Sequence, residues 1–181
     1  MPERRFLDGT KSLAAGRLAQ TWNRIFMTSI RIVTCIAAST EECFDLARDI
    51  NFHVQSLEHT GERAIAGCTT GLIEFGESVT WEARHLGVRQ QLTSQITTFD
   101  RPNHFRDEMT SGAFRSFVHD HWFETHDGET TMVDEIVFHS PLGPFGWLVD
   151  KLFMTGYLKR LIVERCQAIK EEAESRSQSF E

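Results

Sequence analysis

The sequence predicts an α+β domain, a curved, seven-stranded antiparallel sheet closed around one long C-terminal helix. Three observations carry that expectation. Residues 142–174 open with Leu142-Gly143-Pro144-Phe145-Gly146 and then contain no proline. Their apolar side chains, among them Leu148, Leu152, Phe153, Leu158, Leu161 and Ile162, point almost all the way round at about 100° per residue, the pattern of a helix covered on several sides. Upstream, β-branched and aromatic segments recur between residues 26 and 140, separated by Gly, Asp and Asn turn chemistry. Between the first two of these segments lie two short helical stretches, each behind a capping residue.

In chain order, residues 26–37 hold Ile30, Ile32, Val33, Thr34 and Ile36 and read as strand one. Ser39 caps a first helix whose opening turn carries Glu41 and Glu42, and Asp49 caps a second one through Phe52, Val54 and Leu57. Six further strands fall near 61–66, 77–86, 88–99, 103–110, 114–125 and 130–140. Gly67 and Gly71, Gly76, Gly87, Asp100-Arg101-Pro102-Asn103, Ser111-Gly112 and Asp127-Gly128 punctuate them. Such short connections imply an antiparallel meander. In the last turns of the terminal helix, Glu164, Arg165, Lys170, Glu171, Glu172 and Glu174 are expected to face solvent. Residues 1–26, with Arg4, Arg5, Lys11, Arg17 and Arg24, read as an N-terminal extension. Residues 27–174 form the domain, with Met27 a candidate alternative translational start, and 175–181 form a disordered tail.

The 181 residues suit one domain with a full core. A formal net charge of −7 argues against broad binding to a nucleic-acid backbone. No run approaches the apolar length of a membrane span, and the N-terminus lacks the apolar core of a signal peptide, so a cytoplasmic protein is expected. Cys35, Cys43, Cys68 and Cys166 show no CxxC or Cys/His zinc spacing and are expected to be free thiols. No motif calls for a cofactor.

The order of strand, two short helices, six strands and one long helix resembles the helix-grip fold of the START lipid-transfer, birch-pollen-allergen and polyketide cyclase superfamily (SRPBCC), over about residues 27–172. More narrowly, Val79-Thr80-Trp81-Glu82-Ala83-Arg84-His85, Asp107-Glu108 with Gly112-Ala113-Phe114, His119-Asp120-His121 and Ser140-Pro141-Leu142-Gly143 look like a bacterial ligand-binding branch of it. The resemblance implies a cavity between sheet and terminal helix that takes an apolar or amphipathic guest (lipid, polyketide or isoprenoid-like). It also implies relatives that catalyse cyclisation or dehydration.

Strand parity nominates the lining. Val79, Trp81, Ala83 and His85 share the more apolar face of their strand. If Asp127-Gly128 forms a type I′ turn, His126 pairs with Glu129. Phe123 then faces Met132, His121 faces Asp134, and Phe117 faces Phe138. A three-residue loop at 112–114 sets Asp107 opposite His119. The expected walls are Trp81, Phe105, Phe117, Phe123, Ile136, Phe138, Leu148 and Leu152, with Tyr157 from the helix. The expected polar anchors are His85, Asp107, His119, His121 and Asp134. Three readings of these polar residues stay open: a structural or solvent-facing network, the anchor of a ligand pocket, or a His–Asp general base built on His121 or His119 with Asp134. A protein-interaction module or homodimer with an incidental cavity is the third class of function. A metal site of His85, His119 and His121 is disfavoured, because the strand bearing His85 is expected across the sheet from the other two. The 71–76 segment, glycine at both ends, is a candidate mouth.

Overall fold

A computed structural model describes residues 27–85, 87–141, 148 and 150–179; the side chains of His85, Asp150 and Lys151 are outside it. The N-terminal extension and the Leu142-to-Trp147 opening of the predicted helix therefore lie outside the described residues.

The chain runs β1 (Thr28–Ile36), α1 (Thr40–Ala47), α2 (Ile50–Ser56), a 3-10 turn (Glu58–Thr60), β2 (Arg63–Gly67), β3 (Ser78–His85), β4 (Val88–Asp100), β5 (His104–Ser111), β6 (Ser116–His126) and β7 (Glu129–His139). A wide π-type turn (Asp150–Met154) then leads into α3 (Thr155–Gln178). The seven strands form one antiparallel sheet in the order β1-β7-β6-β5-β4-β3-β2. From β2 to β7 chain neighbours pair, and β7 returns to β1, so β1 and β2 form the two edges. α3 packs along β1 and against both short helices.

Local chemistry accounts for the element ends. The Ser39 side chain accepts from the Glu42 amide, and Asp49 accepts from Asn51 and Phe52, satisfying N–H groups that a first helical turn leaves unpaired. Asp127 and Gly128 have φ of 52° and 84°, the left-handed pair a type I′ hairpin requires. His126 accordingly pairs with Glu129, and the register runs through Phe123–Met132, His121–Asp134 and Phe117–Phe138 as the turn predicts. Asp107 pairs with His119.

The core centres on fully buried Phe44 from α1, whose ring meets Phe99, Phe105 and Phe123 at 5.3–5.5 Å, mostly edge to face. α3 contributes Leu161, Arg165, Cys166, Ile169 and Ala173, a single stripe at helical spacing. This corrects the expectation of an all-round buried helix. Leu152 and Phe153 are 64% and 68% exposed, and Leu148 and Val163 are also exposed. The sheet grips α3 from one side, so apolar residues off the stripe stay outside. Arg165 is the converse correction: expected in solvent, it is buried within the stripe. The helix also continues to Gln178, past the Ser175 boundary read from the sequence.

Arg48, buried at the end of α1, ties the 71–76 segment down. Its guanidinium donates to the Ile73 carbonyl and pairs with Glu74 at 2.7 Å and Asp45 at 2.8 Å. Asp45 also receives Arg101 from the β4–β5 turn at 2.6 Å. Burial alone would raise the Asp45 pKa; the Arg101 and Arg48 bonds outweigh it and hold it below the usual carboxylate range. A group with a depressed native pKa stabilises fully above its unfolded pKa, and the contribution is lost as pH falls through the native value. Asp45→Asn is therefore expected to cost about 1 kcal/mol at neutral pH. In urea titrations the gap to wild type should close as pH drops below about 4; a gap independent of pH would contradict the pairing.

Candidate functional site

The paired register of β5, β6 and β7 brings four titratable side chains together on the inner face of the sheet. His119 and His121, two apart on β6, lie with ring centroids 3.7 Å apart and planes tilted by 36°. Asp134 of β7 lies beneath both: His119 Nε2 bonds its Oδ1 at 2.9 Å, and His121 Nδ1 stands 3.0 Å from the same oxygen but off the bond direction. The directed bond thus runs diagonally to His119, not to His121 directly opposite. From α3, the Cys166 thiol donates to Asp134 Oδ2 at 3.2 Å. That contact fixes the orientation of the whole group toward the helix. On the other side, Asp107 Oδ2 lies 3.5 Å from His121 Nε2 and 3.9 Å from His119 Nδ1. Phe105 stacks on His121 at 4.2 Å.

The electrostatics follow from burial and mutual contact. Burial favours the neutral form of Asp134, but its contacts with His119 and His121 prevail and hold it well below the usual carboxylate range. Asp107 is lowered in the same way, burial being overcome chiefly by His121. For His121, burial is outweighed by the two carboxylates and its pKa rises. His119 is lowered by burial and by the neighbouring His121 charge. The two imidazoles lie close enough for a charge on one to oppose a charge on the other.

A cavity of about 170 Å³ lies between β3–β6 and α3. Trp81, Asp107, Phe117, His119 and Tyr157, all predicted from the sequence, line it. A smaller cavity of about 40 Å³ lies beside it, next to α1 and α2, bordered by Phe105, His121 and Ile73. His53, Trp81, Ser94, Asp107 and Arg165 border both and form the partition. The 71–76 segment thus contributes Ile73 to the small cavity and does not line the large one. Of the remaining predicted residues, Phe123, Asp134, Ile136 and Phe138 are buried behind the lining, and Leu148 and Leu152 face outward. The side chain of His85 is outside the described residues, and its strand is separated from β6 by β4 and β5.

Sequence reasoning missed three polar residues of the partition, Ser94, Arg165 and His53. Arg165, 6% exposed, donates to the Ala47 carbonyl, and its Nε has no hydrogen-bond partner among the described residues. Its place four residues from both Leu161 and Ile169 on the apolar stripe was the available signal. His53 stacks on Trp81 at 4.1 Å and meets Glu62 at 3.2 Å. That arrangement depends on the docking of α2 and leaves no mark in the sequence.

The sequence matches no protein-family model and no curated protein. Solved structures do match. TTHA0849 from Thermus thermophilus superposes with a TM-score of 0.67 at 18% identity, covering 83% of this chain and 99% of that one. The Zhui aromatase/cyclase from a Streptomyces species gives 0.67 at 14% identity, covering 83% and 96%. Ginseng major latex-like protein 151 from Panax ginseng gives 0.62 at 15% identity, covering 82% and 98%. The chain has the helix-grip fold. Within the helix grip, the Asp134 group sits where the gripped helix meets the sheet. No helix among the described residues is long and apolar enough to cross a membrane.

Removing one member of a buried ionic group strands the others. Asp134→Ala is expected to destabilise the domain by about 3–5 kcal/mol in chemical denaturation. A loss under about 1 kcal/mol would show that the imidazoles do not depend on this carboxylate.

Proposed function

We propose that this protein binds an amphipathic small molecule in the 170 Å³ cavity, for carriage or sensing. The observation that carries the reading is the composition of the cavity wall. Trp81, Phe117, Leu158 and Ile162 offer apolar surface, and Asp107, His119 and Arg165 converge on one side. Small-molecule sites combine those two features, apolar walls for affinity and a few placed polar groups for orientation. The apolar body of the guest lies against Trp81 and α3. Its polar end meets Arg165, a buried cation with an unused N–H, which suits a carboxylate or phenolate. An apolar cavity of about 150 Å³ admits a benzene-sized guest, so one ring fits without rearrangement and a longer chain must displace side chains of the first turns of α3.

A second reading is favoured by one contact. The His119–Asp134 bond at 2.9 Å places an oriented imidazole on the cavity wall, the arrangement of a general base. On this reading the protein is a cyclase, dehydrase or hydrolase acting on the same guest.

Native mass spectrometry of protein purified from its own host is expected to show a co-purifying small acid or phenol. Titration with anilinonaphthalene sulfonate is expected to saturate, and Leu158→Trp, which fills the cavity, to weaken binding more than about tenfold. Unchanged affinity in that variant would place the probe elsewhere. His119→Gln separates the two readings: the carrier shows a modest change in affinity, whereas an enzyme loses about 10²–10⁴-fold in turnover.

A further inference from the structure

We propose that Asp107, His119 and His121 form a site for a divalent transition-metal ion of the zinc type, with Asp134 as the carboxylate behind both imidazoles. The ligand atoms are already gathered. One oxygen or nitrogen from each of the three residues lies within 4.8 Å of the others. Asp107 Oδ2 is 3.5 Å from His121 Nε2 and 3.9 Å from His119 Nδ1. A tetrahedral ion with bonds of about 2.0–2.1 Å sets its ligand atoms about 3.4 Å apart, so ligation closes the two Asp107–imidazole gaps by about half an ångström or less, while the imidazole nitrogens start within 4.8 Å of each other. The rings, now tilted by 36°, splay to aim both nitrogens at the ion.

The second observation is what stands behind the imidazoles. His119 Nε2 and His121 Nδ1, the nitrogens turned away from Asp107, lie 2.9 and 3.0 Å from one oxygen of Asp134. Metal-bound histidines characteristically give their other N–H to a carboxylate, which fixes the tautomer and leaves the lone pair on the metal side. Here Asp134 bonds His119 Nε2 and lies close to His121 Nδ1 without a directed bond, and the other nitrogen of each ring faces Asp107. Asp134 is in turn held by the Cys166 thiol. All three ligands stand on paired strands, whose register fixes their spacing better than loops would.

Charge and access agree. Buried Asp134 and the partly exposed Asp107 share the site with one buried guanidinium, Arg165. A dication placed beside both carboxylates takes over the positive charge that a protonated imidazole would otherwise supply, and its binding releases that proton. Asp107 borders both cavities, so a fourth coordination position is open to the guest, the pattern of a reactive rather than a purely structural site. The cluster differs from the three-histidine arrangement considered from the sequence, since it draws on β5 and β6 and excludes β3.

The test uses the ion alone and does not depend on the small-molecule reading. Full-length protein stripped with dipicolinate and titrated with Zn²⁺ is expected to bind one equivalent. Asp107→Asn and His119→Gln should each weaken binding more than about tenfold, and Asp134→Asn about 10–100-fold. His126→Gln, a surface control, should change nothing. X-ray absorption on the zinc-loaded wild type should show two imidazoles and no sulfur, which decides the matter even if a variant fails to fold. Three results would overturn the site: no binding, binding indifferent to all three variants, or a sulfur-dominated spectrum that assigns the ion to the cysteines.

Discussion

A two-residue turn decides which way the chemistry of this protein faces. Side chains alternate across a strand, so a slip of one residue between β6 and β7 would send His121 and Asp134 to opposite faces. Asp127 and Gly128 prevent that slip, because both adopt the left-handed backbone that a tight hairpin needs. The register they impose puts His119, His121 and Asp134 on the face that α3 covers. The β5–β6 pairing then adds Asp107 to the same face. Cavity, ionic group and helix contact all follow from this alignment.

The ionic group is costly to bury, and the fold offsets the cost by pairing. Asp134 meets two imidazoles and a thiol; Asp107 faces the same two rings from the opposite side. Such groups are rarely worth more to stability than an apolar cluster of equal volume. Their retention beside a cavity points to use in binding or chemistry. Perturbed titrating groups in a cleft carry the same implication. The outer face of the same strands illustrates the contrast. There Asp120 is paired by Arg106 at 2.8 and 2.9 Å and by His104 at 2.7 Å, with Trp122 stacked on His104, and it lines neither of the two cavities described above.

Much of the fold was legible because its signals are local. Ser39 and Asp49 cap helices through their own side chains, and Asp127-Gly128 encodes a turn type. From that turn the pairing of eleven successive residue pairs follows by counting, Ser116–His139 to His126–Glu129. Trp81, Asp107, Phe117, His119 and Tyr157 were found as cavity lining by strand parity or by position on the helix. Leu148 and Leu152 were misplaced for a physical reason. Hydrophobicity around a helix tells how much apolar surface exists, not how much of it the sheet reaches.

The sequence by itself determined the order of elements, the hairpin register and hence which residues share a face, since backbone conformation and period-two alternation act over a few neighbours. Only the tertiary structure decided that Arg165 turns inward, that His53 lies on Trp81, and that Asp134 bonds His119 across the diagonal. Those contacts join residues far apart in the chain. They depend on where α2 and α3 come to rest on the curved sheet, a balance of packing over the whole core that no short window of sequence contains.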